Sequence, residues 1–339
     1  MNSSVPAGSQ QPQAVAQSAQ TTQTQARTAL DNDKARSPQA DGEIVYNSIP
    51  SPLAPIPSQG FECCSVSEFG DGVNLTGTGT LDTVSVVMDS WGCETGDGNV
   101  STGPAACHTT PGSTFNVPIT MSVYAVCPAL SCVPANSRVG ALLAKQTKTF
   151  AIPYRPSADP VHCPPNGTFF SDVAIVGEGT LTHPHCTHGF VNLIVFDALV
   201  PQAGAPKDLP SQAIFTVAFN TTTWGYAPTG LACTTRPSDQ CGYDSLNVGA
   251  EGPGGPVGTA FDPNGAFINY RTPAFYCDKG TGGFNYLRLD TGPDCWGPQP
   301  GFPNGLHPQI QVTISNKHDN DDKNKGNNND DKSKHKDRD

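Results

Sequence analysis

Three histidines and a cysteine crowd into the string HPHCTHG as His183, His185, Cys186 and His188. Neutral imidazole is a good ligand for zinc, copper and nickel, so His183, His185 and His188 are the candidate metal ligands. Pro184 bends the segment, and alternate side chains could then converge. Against a metal, Cys186 is wanted as the disulfide mate of Cys163, and a carboxylate would still be needed to complete the set. Loop histidines are commonly metal-free, and the structural reading is preferred. Carboxylates offer a second chemistry. A glycosidase pair needs two of them about 5–9.5 Å apart across a sugar cleft. Glu68 and Asp71 in SEFGDG, Asp89 ahead of Trp91, and Glu94 are the candidates. Asp-Gly turns produce the same letters, so a structural role is again preferred. Loop aromatics are the third resource. Trp224, Tyr226 and Trp296, with Trp91 and Tyr243, could stack on sugar C–H faces. Yet a tryptophan beside a cysteine, as in WGC at 91–93 and CW at 295–296, often covers a disulfide in a core, which favours packing. There is no GxSxG, HExxH, Walker loop or GxGxxG after a strand. No catalytic residue and no cofactor is therefore expected, and a non-enzyme is favoured.

The elements that must hold these residues are short. With 35 glycines and 32 prolines there is little room for a helical bundle. Strand candidates are β-branched or aromatic runs bounded by Gly, Pro, Asn or Asp: 44–47, 81–89, 115–126, 139–150, 190–199, 213–220, 267–270 and 309–315. Several alternate with a period of two. Val84, Val86 and Met88 share a face, as do Ile119, Met121, Val123 and Ala125, and Ile310, Val312 and Ile314. Residues 139–148 have a partly helical spacing and are read as strand. These features predict an all-β fold, a disulfide-stapled antiparallel β-sandwich, jelly-roll-like, with long loops.

Ten of the 12 cysteines fall into sequential pairs around loops: Cys93 with Cys107, Cys127 with Cys132, Cys163 with Cys186, Cys233 with Cys241, and Cys277 with Cys295. Local pairing is the simplest reading, although spacing does not prove connectivity. Cys63 and Cys64 are neighbours, and a structural role is preferred to a redox one. Cysteine at this density predicts an oxidising compartment, hence a secreted or cell-surface protein. The first residues show no basic, apolar and small-residue leader. An upstream start, a removed leader and unconventional export are the readings, in that order.

Residues 1–43 are Gln/Ala/Ser/Thr-rich and residues 317–339 are an Asn/Asp/Lys polyampholyte. Both are expected to be disordered, because neither can bury enough surface to offset the entropy of ordering. Residues 44–316 form the expected single domain, with nineteen acids and nine bases. That acidity opposes nucleic acid and leaves a neutral glycan or a cation as partner. The longest apolar run, 191–200, is too short to span a membrane.

Several strings resemble a group of exported, actinobacterial-type proteins without an assigned activity: YNSIPSPLAPIPSQGFE at 46–62, SEFGDGV at 67–73, WGCE at 91–94, IPYRPSADP at 152–160 and NTTTWGYAP at 220–228. The resemblance covers most of 46–316 and implies an extracellular β-rich domain, with no site residue to carry over. Three functional readings follow, in order: a non-enzymatic secreted or surface protein that binds or coats, a carbohydrate-binding or carbohydrate-active protein, and an extracellular metal-binding protein.

Overall fold

The computed structural model describes residues 42–61, 66–128, 131–134, 137–172, 185–219, 223–224, 231–232, 246–250, 257–297 and 305–315. Its strands run in chain order as β1 (Glu43–Asn47), β2 (Ser58–Gly60), β3 (Val66–Asn74), β4 (Thr80–Ser90), β5 (Thr114–Val126) and β6 (Val139–Pro153). Next come β7 (Phe169–Phe170), β8 (Cys186–Thr187), β9 (Phe190–Phe196), β10 (Val200–Pro201), β11 (Gln212–Phe219) and β12 (Thr223–Trp224). The remainder are β13 (Leu231–Ala232), β14 (Leu246–Gly249), β15 (Thr259–Ala260), β16 (Gly265–Tyr270), β17 (Arg288–Thr291) and β18 (Ile310–Ser315). One 3-10 turn, Pro273–Phe275, is the only helical element among the described residues.

Two antiparallel sheets carry the fold. The first is ordered β1-β18-β4-β14-β2, with β9 on the other edge of β4. The second is ordered β10-β6-β5-β11-β3-β16-β17, with β15 also on β3. The period-two faces read from sequence point inward. Val84, Val86, Met88, Ile310, Val312 and Ile314 of the first sheet share one apolar cluster with Ile119, Met121, Val123, Phe215 and Val217 of the second. Each such side chain, fully buried, contributes about 1.5–3 kcal/mol. Residues 139–148 are strand, as expected: β6 pairs with β5 from Thr114–Pro153 to Val126–Val139.

Strand β3 departs from the sequence reading, which took SEFGDG as a turn. It lies between β11 and β16 in the middle of the second sheet. Gly70 is what permits this, because a side chain there would run into the Phe215 carbonyl and Thr216. Phe69, Asp71 and Val73 alternate onto one face, and Phe69 and Val73 belong to the core. Asp71 is therefore carried inside with them, 1% exposed.

Two further features close the sandwich. Lys148 on β6 reaches across to β9, donating to the Val195 carbonyl at 3.2 Å and pairing with Asp197 at 3.0 Å. A lysine at such a seam discourages addition of a foreign strand. At another side, residues 305–309 enter between the sheets and deliver His307, which is fully buried.

Four of the expected bridges are formed: Cys93–Cys107, Cys127–Cys132, Cys163–Cys186 and Cys277–Cys295. Cys63, Cys64, Cys233 and Cys241 lie outside the described residues. Unfolded but unreduced protein is thus expected to yield no more than four reactive thiols. A reagent count above four would show that one of these bridges does not form in solution.

Candidate functional site

Two connections cross between the sheets at one end of the sandwich. Residues 91–113 run from β4 to β5, and the chain between β6 and β9 returns the other way. They pack on each other through backbone bonds from Arg155 N to the Gly92 carbonyl (3.0 Å) and from Ala158 N to the Cys107 carbonyl (3.1 Å). Side chains add two more, Thr109 N to Ser157 Oγ (2.9 Å) and Gly167 N to Ser101 Oγ (2.7 Å). Each connection is stapled, the first by Cys93–Cys107 and the second by Cys163–Cys186. Strands β7 and β8 pair beside the second staple.

Four side chains of unlike chemistry meet here. Arg155 is fully buried. Its guanidinium donates to the carbonyls of Gly98 (3.0 Å) and Gly167, faces His188 Nδ1 at 3.3 Å, and lies 5.5 Å from the centre of the Phe169 ring. A guanidinium only donates, so His188 Nδ1 must accept, which fixes the neutral ring with its proton on Nε2. Burial, aided by the Arg155 charge, holds the His188 pKa down at about 4. The ring stacks on Trp91 at 5.4 Å between centroids, with planes 9° apart. The Trp91 indole in turn donates to Asp89 Oδ2 at 2.7 Å. Asp89 is 1% exposed, and burial raises its pKa to about 6 against the opposing pull of Ser58, Trp91 and Arg155. Gly189 makes room for the carboxylate, since any side chain there would overlap it.

A second ring cluster sits beside the Cys163–Cys186 bridge. Phe170 is 38% exposed and has His162 at 5.8 Å and His185 at 5.3 Å, centroid to centroid. His162 Nδ1 lies 2.8 Å from Asp159 Oδ2, and His185 Nδ1 lies 3.0 Å from the Ser171 carbonyl.

The sequence candidates fare differently. His185 and His188 do not converge on an ion. His188 faces a guanidinium, and no group of three His, Cys, Asp or Glu fit to hold a metal occurs among the described residues. His183 and Tyr226 lie outside the described residues, and Trp224 is described only as backbone of β12, paired with β13. Trp296 is not a surface ring. It is 4% exposed, stacks on Phe69 at 5.8 Å, and donates to Asp290 Oδ2 at 3.0 Å, so it offers no face to a ligand. The four carboxylates sit in separate settings. Asp71 faces the core and Asp89 lies beneath Trp91. Glu68 lies on the opposite face of β3, taking bonds from Thr216 (2.5 Å) and Tyr124 (3.2 Å), with its pKa raised by burial. Glu94 accepts from Thr110 N at 2.6 Å, a bond that lowers its pKa.

Sequence reasoning missed Arg155, His162 and Phe170. Signals existed. Arg155 is one of nine bases in 44–316 and is flanked by Tyr154 and Pro156. Cys163 and Cys186 are each preceded by a histidine, so the bridge that joins the cysteines also brings His162 and His185 into one neighbourhood.

No protein-family model matches this chain, and no curated protein or solved structure matches it.

Proposed function

We propose that the protein is a non-enzymatic binding component of an oxidising, extracytoplasmic space, secreted or at the cell surface, and that it takes a neutral ligand of the carbohydrate class at the stapled loop end. The observation that carries this reading is the pair of ring clusters, Trp91–His188 and His162–Phe170–His185, held on two mutually bonded, disulfide-held connections, with Phe170 the exposed ring among them. Sugar rings present C–H faces that pack on aromatic planes, and loops already held in place lose little entropy on binding. The bridges support the compartment. The excess of acids over bases in residues 44–316 disfavours polyanions. No described helix is long and apolar enough to cross a membrane.

A glycan array with the whole chain tests the reading. Binding of neutral glycans is expected, falling at least tenfold in Phe170→Ala, with Trp91→Ala weakened as well. Retention of full binding by Phe170→Ala would remove the loop-end site. Tight capture of heparin or DNA at physiological salt, without neutral glycans, would overturn the electrostatic premise.

A further inference from the structure

The end of the sandwich that holds the stapled connections carries a second set of exposed rings, on a different element. Strand register places them. Val66 opens β3 opposite Tyr270, the last residue of β16. Val217, near the end of β11, lies opposite Phe69 of β3, and Phe219 lies opposite Ile119 of β5. Thr114 opens β5 opposite Pro153, which closes β6. The ends of β6, β11 and β16 and the starts of β3 and β5 therefore share one end of the second sheet. Residues 91–113 enter β5 there, and the chain after β6 leaves from there.

From the same end β16 continues into a lobe, residues 271–287, before β17 returns beside it. The lobe is closed on itself. Asn285 N donates to the Tyr270 carbonyl at 3.0 Å. The Tyr276 hydroxyl accepts from Tyr270 N (3.0 Å) and donates to the Tyr286 carbonyl (3.2 Å). The Asp278 carboxylate accepts from Gly280 N and Gly282 N, both at 2.8 Å, and from Arg288 at 2.6 Å. Cys277–Cys295 ties the lobe to the chain after β17. Tyr276 fills the interior at 2% exposure, yet Phe275 and Phe284 are left 44% and 49% exposed. Both are anchored beside Tyr270. The Phe275 ring lies 5.8 Å from the Tyr270 ring, and Phe284 directly precedes Asn285. Arg271 and Asn285, also exposed, supply hydrogen-bond donors next to them. A compact loop with meeting ends, packed by its own side chains, is a frequent carrier of function. Together with Phe170, these are the exposed phenylalanines among the described residues, and all of them stand at this one end.

The sheet order interposes β5, β11 and β3 between β6 and β16. At about 4.8 Å per strand, the strands leading to the two sets of rings are about 19 Å apart. No single sugar ring covers that distance, whereas a polysaccharide strand does. We propose that the loop-end glycan site extends across this end of the sandwich to the 271–287 lobe, and that its ligand is a linear neutral polysaccharide held at Phe170 on one side and at Phe275 and Phe284 on the other. The proposal rests on the glycan reading above and adds to it the length of the ligand and a second point of contact. Two contacts on one strand raise affinity through effective concentration, with no change at either contact. The acid excess of residues 44–316 argues for a neutral strand over a polyanionic one.

The test is calorimetry of the full chain with cello-, xylo-, malto- and chito-oligosaccharides, each as dimer, tetramer and hexamer, together with the same lengths of the strongest neutral hit on the array. Affinity is expected to rise by about tenfold or more from dimer to hexamer. Phe275→Ala and Phe284→Ala should each cost about tenfold on the hexamer and much less on the dimer, while Phe275→Tyr, which keeps the ring face, should bind nearly as the parent does. Val200→Ser, at an exposed apolar residue of β10, should bind as the parent does. Thermal midpoints check that the lobe variants keep the fold. A parent that binds dimer and hexamer equally, or lobe variants that lose nothing on the hexamer, would overturn the extended site and leave the loop-end reading standing. A parent that binds no glycan of any length, here or on the array, would overturn both.

Discussion

Arg155→Met is expected to destabilise the protein by about 3–5 kcal/mol, the range for removing one partner from a buried charge cluster. The reason is the number of groups that one guanidinium serves. Gly98 and Gly167 would each keep a buried carbonyl without its donor, at about 1–3 kcal/mol apiece. Asp89 would lose the nearby positive charge that opposes its burial. Arg155→Lys should recover little, because one ammonium cannot match a planar fork aimed at two carbonyls and an imidazole. Urea midpoints of the three proteins decide the matter. A lysine variant as stable as the parent would mean that charge, and not the fork, holds the two connections together.

The second large effect is expected at Asp71 and His307. His307 Nδ1 stands 3.3 Å from Asp71 Oδ1, with both side chains essentially inaccessible. On the other side of the ring Nε2 is 3.3 Å from the Pro263 carbonyl, so Nε2 holds a proton. Nδ1 and the carboxyl must therefore share a second proton between them. Truncating either residue alone should cost about 3–5 kcal/mol, because the survivor is left buried without its partner. The paired change Asp71→Leu with His307→Met should cost much less than the sum of the single changes, since a well-packed apolar pair can replace a buried ion pair. A double variant showing the full sum would count against the pairing.

A pH dependence follows. Burial alone would lower the His307 pKa, but the charges of Asp71 and Asp262 and the Pro263 carbonyl outweigh it and hold it above the ordinary value. A raised pKa means that the folded state binds the proton more tightly. That contribution is complete below about 6.5, the ordinary histidine value, and is lost as pH rises through the raised one. Asp71 shares that proton, so the pair contributes to this slope once, as a unit. The thermal midpoint should accordingly fall between neutral and alkaline pH, and the apolar double variant should lose that part of the slope.

Much of the framework was legible because period-two burial leaves a direct trace. The expected strands at 81–89, 115–126 and 309–315 lie within one residue of the observed ones at each end, and the last two end where the observed strands do. Strand β3 was not legible, because Gly70, Asp71 and Gly72 spell a turn to any local rule, and only the approach of the Phe215 carbonyl explains the glycine. The site was half visible. Asp89, Trp91, His185 and His188 drew notice by type, but their partners come from the connection after β6, and no spacing rule joins positions 91 and 155. Trp296 looked like a displayed ring because it follows a cysteine in a loop. Asp290, which accepts its indole proton, sits six residues upstream and is itself buried.

The pairing of β1 with β18, Glu43 opposite Ile314, has a kinetic consequence. Strand β18 also lies along β4, from Ile310–Val86 to Ser315–Thr80. The first sheet therefore waits for the last strand of the domain, and its interior cannot shut while the chain is still emerging from a ribosome or a translocation pore. Contacts this distant in sequence make for slow closure. The nascent chain thus stays open through most of its synthesis, a state that must be shielded from neighbours until residue 315 arrives.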